Sequence, residues 1–247
     1  MRINYIEKGD CLEVMKEIPD KSIDLVLCDL PYGRTKNKWD KPIDLKALWK
    51  QYKRIVKDNG AILLFAQVPY NIVLGNSNLK MLRYEWIWEK TNATGHLNAN
   101  KMPMKAHENI LVFYKKLPTY NPQKRTGHAP VHSYTKWTDD GSNYGKTKVG
   151  ISGGGSTERY PRDVILFKTD KQKSALHRTQ KPVKLLEYLI KTYTNSGDVV
   201  LDNCMGSGGT IIAAINTDRH YIGIELDNDI FEIAKKRIEE HKKIKDL

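Results

Sequence analysis

Residues 199–225 constrain the fold more than any other stretch of this 247-residue chain. Val199-Val200-Leu201 reads as a short buried strand, and the turn that follows holds Asp202, Cys204, Gly206, Ser207, Gly208 and Thr210. Residues 211–215 are apolar with helical periodicity, and residues 220–225 read as a second strand ending in an acid. Strand, glycine-rich turn, helix and strand together make an α/β unit whose strand ends face a ligand. Glycines let a ligand approach the backbone, and a helix start offers free N–H groups. Glu225 closes the second strand where it can accept hydrogen bonds from ribose hydroxyls, so the unit reads as an adenosine cradle. A phosphate site fits less well. The turn itself holds no Gly-Lys-Ser/Thr, and its spacing departs from Gly-x-Gly-x-x-Gly, which argues against a dinucleotide oxidoreductase.

A second feature lies near the start of the chain. The apolar run 23–27 ends in Cys28-Asp29-Leu30-Pro31-Tyr32-Gly33. A carboxylate, a proline carbonyl and an aromatic face thus stand together at the mouth of the expected parallel sheet. The trio suits a flat base bearing an exocyclic amine: Asp29 and the Pro31 carbonyl accept its two N–H bonds, and Tyr32 stacks on the ring.

The run resembles the Asp-Pro-Pro-Tyr motif of amino-methylating DNA methyltransferases, with Leu30 in place of the first proline. The turn from Asp202 to Thr210 is similar to the Asp-Pro-Phe-x-Gly-Ser-Gly-Thr loop that holds S-adenosylmethionine in the same family, with Cys204 where phenylalanine is usual. His177-Arg178-Thr179-Gln180-Lys181-Pro182 is similar to the His-Pro-Thr-Gln-Lys-Pro element that opens the preceding helix, and Pro182 suits a helix start. The resemblance implies contact of Thr179 and Lys181 with the cofactor carboxylate. It also places Asp10, after Gly9 at the exit of a first strand (residues 4–7), beside the adenine ring; read from the sequence alone, Asp10 is a helix N-cap.

The catalytic turn precedes the cofactor loop, an order that resembles the permuted beta arrangement of these enzymes. The resemblance runs from Gly9 to Glu225 and implies a Rossmann-like methyltransferase fold: a mostly parallel, doubly wound sheet with one antiparallel strand. Residues 45–56 and 70–79 have helical spacing, and residues 61–65 read as a buried strand. Residues 84–90 and 109–114 are the candidates for the hairpin that carries the antiparallel strand. His107 and Glu108 resemble a family pair leading into that strand and are given a structural role.

Composition narrows the partners. The chain carries 41 Lys and Arg against 29 Asp and Glu, a formal charge of +12, which favours a polyanion. Most of the excess lies in residues 115–184, with 15 basic residues against five acids and Tyr120, Tyr134, Trp137, Tyr144 and Tyr160 interleaved. Residues 115–174 are expected to be an inserted target-recognition region, and residues 1–114 and 175–247 the catalytic and cofactor-binding domain. Within the insert, residues 150–156 contain a glycine triplet that reads as irregular. Candidate DNA contacts are Lys146 and Lys148 in the insert, and Arg34, Lys36, Lys38 and Trp39 in a loop after Tyr32. Cys11, Cys28 and Cys204 show neither a disulfide framework nor metal-ligand spacing and are expected to be reduced core or near-core thiols. No apolar run is long enough to span a membrane and no signal-peptide pattern opens the chain, so a cytosolic protein is expected.

Together these features lead to an S-adenosylmethionine-dependent enzyme acting on adenine N6 in double-stranded DNA. The family resemblance implies the preference, since Asp at the first motif position is commoner among adenine enzymes. Cytosine N4, whose amine also sits beside a ring nitrogen, is the alternative, followed by RNA methylation and by non-catalytic nucleic-acid binding. No cysteine is placed as the nucleophile that a cytosine C5 enzyme needs. A homodimer is compatible with the resemblance.

Overall fold

The computed structural model describes residues 1–33, 41–137, 149–169 and 180–245. Two compact units emerge: residues 1–121 with 163–247, and residues 122–162.

In the larger unit, short strands rich in Val, Ile and Leu alternate with amphipathic helices. In chain order these are β1 (Tyr5–Lys8), α1 (Cys11–Val14), β2 (Ile23–Cys28), α2 (Leu45–Ile55), β3 (Val56–Ala66), α3 (Tyr70–Asn76), β4 (Leu82–Thr94) and β5 (Lys105–Phe113). After the smaller unit, with β6 (Tyr134–Lys136) and β7 (Ile151–Gly153), come β8 (Val164–Phe167), α4 (Val183–Tyr193), β9 (Val199–Asp202), α5 (Gly209–Asn216), β10 (His220–Glu225) and α6 (Asn228–Lys245).

Eight strands form one sheet in the order β1-β10-β9-β2-β3-β5-β4-β8. Neighbours pair in parallel except around β5, which runs antiparallel to both β3 and β4. The expected hairpin is therefore β4 and β5, and β5 is the antiparallel strand. Leu25, Leu27, Leu63 and Phe65 face α4, α5 and α6, while Ile23, Val26, Ile62 and Leu64 face α1, α2 and α3. Burial on both faces is why these strands read as continuous apolar runs. Each such side chain contributes about 1.5–3 kcal/mol by leaving water.

Local chemistry sets the element ends. Asp44 caps α2, its Oδ1 accepting from the N–H groups of Lys46 and Ala47. The helix passes directly into β3, so Val56 opens the strand instead of closing the helix. α3 stops at Asn76, three residues short of the expected end, because Ser77 Oγ donates to the Leu74 carbonyl and accepts from the Trp49 indole. The helix expected after Asp10 is one α-turn followed by a 3-10 turn, Met15–Glu17. β1 begins one residue late: Asn4 adopts φ 60°, and its side chain accepts from the backbone N–H of Tyr221.

The smaller unit is a β6–β7 antiparallel ribbon, with Arg125 and Arg159 bridged outside it. Residues 150–156 are thus partly regular. β7 extends into the glycine triplet at Gly153, and regular pairing stops where Gly154 and Gly155 turn to φ 148° and 72°. At the far end of the span 115–174, residues 164–167 are an edge strand of the main sheet. The basic surroundings hid it in the sequence.

Candidate active site

The C-terminal ends of β1, β10, β9, β2 and β3 lie side by side on one edge of the sheet, a consequence of their shared parallel direction. Asp10, Glu225, Asp202, Asp29 and Gln67 stand at or just after these ends. All five line a cavity of about 1270 Å³. A site of ~300–1,000 Å³ suffices for one drug-sized ligand, so the space accommodates a cofactor and a base together.

One half of the cavity is the glycine turn. Gly208, at φ 78°, is the residue before α5 and packs toward Ile238, so it shapes the turn from behind and does not line the cavity. Gly206, at φ 52°, does line it. Its N–H donates to Glu225 Oε2 at 2.9 Å, while Glu225 Oε1 accepts from the Asp227 N–H at 2.9 Å. Burial raises the Glu225 carboxyl above its ordinary value, against the pull of these N–H groups. Asp10 caps α1 through the Leu12 N–H, at 2.8 Å, and also faces the cavity. Ser207 Oγ donates to Gln180, and Arg237 donates to Ser207.

Asp202 is buried, and burial pushes its carboxyl up to about 6 despite hydrogen bonds from Thr210 and the Cys204 N–H. An acid raised in the folded state favours folding most below its unfolded value, near 4. That contribution is lost as pH rises through about 6. Asp202→Asn keeps an acceptor and removes the titration. The variant should therefore gain stability relative to the parent as pH climbs from 4 to 7.5, by on the order of 3 kcal/mol. Denaturant melts at several pH values measure this; a constant difference across the range contradicts it.

The three cysteines, distant in sequence, converge beneath this turn. They are free, and the Cys204 thiol lies in hydrogen-bonding contact with those of Cys11 and Cys28. Burial pushes Cys28 up to about 12, so it is a protonated core thiol. Asn203 beside them accepts from the buried Tyr52 hydroxyl at 2.6 Å. Cys204 therefore substitutes for a bulkier residue by packing against two other small side chains.

The other half of the cavity is built around Asp29. Its Oδ1 accepts from the Tyr32 hydroxyl at 2.6 Å, and its Oδ2 pairs with Lys181 Nζ at 2.6 Å. The Tyr32 ring lies 4.8 Å from that of Tyr70, tilted by 31°. Pro31 and Tyr32 both line the cavity. Lys181 continues to Glu108 Oε2 at 3.0 Å, and Glu108 Oε1 pairs with Lys90 Nζ at 2.5 Å. Phe65 and Trp88 present ring faces to Lys181 and Lys90 at 5.1 and 5.2 Å. Burial pulls the Lys181 ammonium down, but Asp29 and Glu108 together hold it above its ordinary value. Lys181 thus meets two carboxylates of the protein itself. Glu108 and Lys90, which the sequence does not mark as site residues, line the cavity beside them.

Of the residues singled out in the sequence, Asp10, Asp29, Pro31, Tyr32, Lys181, Asp202, Cys204, Gly206, Ser207, Thr210 and Glu225 meet around one cavity. Arg34, Lys36, Lys38, Trp39, Lys146, Lys148 and Thr179 lie outside the described residues. Among the described residues, no group of three or more His, Cys, Asp or Glu could hold a metal ion. No helix there is long and apolar enough to cross a membrane.

A family model described as DNA methylase matches residues 23–236, spanning the Asp29 turn, the hairpin and the glycine turn. The chain belongs to this N6/N4 DNA methylase family. The methylase is 30% identical to the Type II methyltransferase M.HinfI of Haemophilus influenzae, over 97% of this chain and 69% of the relative. It is 28% identical to the Type II methyltransferase M.BglII of Bacillus subtilis, over 94% of this chain and 68% of that one. The fold is shared with the M1.HpyAVI-SAM complex at a TM-score of 0.68, with 24% identity, 94% of this chain and 98% of the other covered. It is also shared with the cytosine-N4-specific PvuII DNA methyltransferase at a TM-score of 0.63, with 16% identity and 97% and 94% covered.

Proposed function

We propose that the methylase transfers a methyl group from S-adenosylmethionine to N6 of an adenine turned out of duplex DNA at a specific site. The observation that carries this reading is the meeting of Asp29, Pro31 and Tyr32 with the glycine turn and Glu225 around one cavity. The donor set suits the cofactor. Glu225 and Asp10 offer carboxylates for its ribose and adenine, Gly206 brings bare backbone to the cavity wall, and Thr210 and Asp202 complete the floor. When bound, S-adenosylmethionine supplies an electrophilic methyl group on a sulfonium.

The protein's task is to make a poor nucleophile adequate. A base amine donates its lone pair into the ring. Acceptance of its two hydrogens by Asp29 Oδ1 and the Pro31 carbonyl favours a tetrahedral nitrogen whose lone pair is localised. To receive the base, Asp29 Oδ1 exchanges the Tyr32 hydroxyl for the amine, and Tyr32 is freed to stack on the ring. Stacking offsets part of the few kcal/mol needed to unstack the target. Positioning does most of the rest, since well-oriented reactants reach effective molarities of about 10⁵ M or more. Asp29 is also the base nearest to the proton that the methylated amine must shed. Adenine is favoured over cytosine N4 by the family correlation with Asp at position 29. Modification-sensitive sequencing of DNA from cells expressing the methylase names the base and its context: N6-methyladenine at one recurrent sequence supports the reading, and N4-methylcytosine replaces it with the cytosine alternative.

The basic insert, residues 115–174, is proposed to hold the recognition surface, with Lys and Arg on phosphates and a few side chains on base edges. Neutralising Lys146 and Lys148 should weaken DNA binding and flatten its log–log salt dependence by up to about 0.9 for each phosphate that is no longer neutralised. S-adenosylmethionine binding should survive. An unchanged slope with full activity would move the search for the recognition surface to residues 92–105.

A further inference from the structure

Four charged side chains from four separate segments form one chain that runs from the interior to the cavity: Lys90 on β4, Glu108 on β5, Lys181 before α4 and Asp29 after β2. We propose that Glu108 is a positioning residue for methyl transfer, holding Lys181 so that the ammonium fixes Asp29 Oδ2 and leaves Oδ1 as the oxygen that receives the base amine. This rests on the function proposed above and adds to it a residue that touches neither cofactor nor base.

The geometry supports a directed arrangement. Each Glu108 oxygen has its own lysine, Lys90 at 2.5 Å and Lys181 at 3.0 Å, so the carboxylate is held between two ammonium groups. Lys181 in turn bridges two carboxylates, Glu108 and Asp29, with only 12% of its side chain exposed. Asp29, about one-third exposed, is the member of the chain most open to the cavity. Two acids and two amines cancel formally. Yet burying Lys90, Glu108 and Lys181 is an expensive way to fill space, because well-packed apolar residues are often as stable or more so. What apolar residues cannot do is fix the direction of a carboxylate. The link also crosses the sheet: it ties the β4–β5 hairpin to the end of β2, with β3 lying between.

The test compares Glu108→Gln and the charge-balanced double variant Lys90→Met/Glu108→Gln with the parent. The double variant leaves Asp29 and Lys181 as a neutral pair, which guards against simple misfolding. Both variants should lose turnover by about 10- to 100-fold, the scale of a misplaced reacting group. S-adenosylmethionine affinity, measured by calorimetry, and the KM for duplex DNA should stay within about twofold. Glu108→Gln should add little to Lys181→Met, because both act on Asp29 through the same ammonium. Turnover within twofold of the parent in the double variant overturns the proposal, as does a loss matched by cofactor affinity or melting temperature. A parent protein that binds S-adenosylmethionine but methylates no base amine overturns the proposed function, and this inference with it.

Discussion

Asp29→Ala should reduce methyl transfer to duplex DNA by about 10³-fold, the upper range for removing one donor or acceptor that acts on the reacting atoms. The change deletes the Oδ1 acceptor for the base amine and strips Lys181 of one of its two carboxylates. Asp29 also lines the cavity that would hold the transferred methyl group, so cofactor affinity should fall as well, though by far less than turnover. The glycine turn and Glu225 lie on other strands and are untouched. Single-turnover transfer of labelled methyl, with cofactor binding measured in parallel, separates the two effects. Near-normal turnover would remove Asp29 from the chemistry.

Glu225→Ala should weaken S-adenosylmethionine binding by about 1.5–3 kcal/mol, the range for hydrogen bonds to a charged group, or roughly 10- to 150-fold. Glu225 acts in two ways. It is the candidate acceptor for the ribose hydroxyls, and its two oxygens already hold the N–H groups of Gly206 and Asp227. Both roles serve the cofactor half of the cavity, so affinity for duplex DNA should hardly change. Calorimetry with the cofactor and a DNA-binding isotherm on the same preparation measure the split. Equal loss of both ligands would indicate a protein that no longer folds properly and would count against the assignment.

The parts of the site legible in the sequence are those whose chemistry is contiguous. Asp29, Pro31 and Tyr32 follow one apolar run, and Gly206 to Thr210 run from a strand-end turn into a helix. In each case neighbouring residues declare both element and function. Glu108 was not legible because it sits three residues into β5, and its partners Lys90 and Lys181 are 18 and 73 positions away. The available signal was a charge just before the apolar run of residues 110–113, since such a charge is buried only when paired. The cysteine cluster was hidden for a similar reason. Residues 11, 28 and 204 meet only because β1, β10, β9 and β2 are successive strands ending on one edge. β8 was obscured because alternate residues of Val164–Phe167 are exposed on an edge strand, with basic residues on both sides.

The central claim is that the Asp29 pocket methylates a base amine. Its most direct test is to incubate the methylase with duplex DNA and S-adenosylmethionine labelled in the methyl group, digest the DNA to nucleosides and identify the labelled product by mass. The account predicts N6-methyldeoxyadenosine from the parent protein and at most traces from Asp29→Ala. Label in 5-methyldeoxycytidine, or undiminished label from Asp29→Ala, would contradict it.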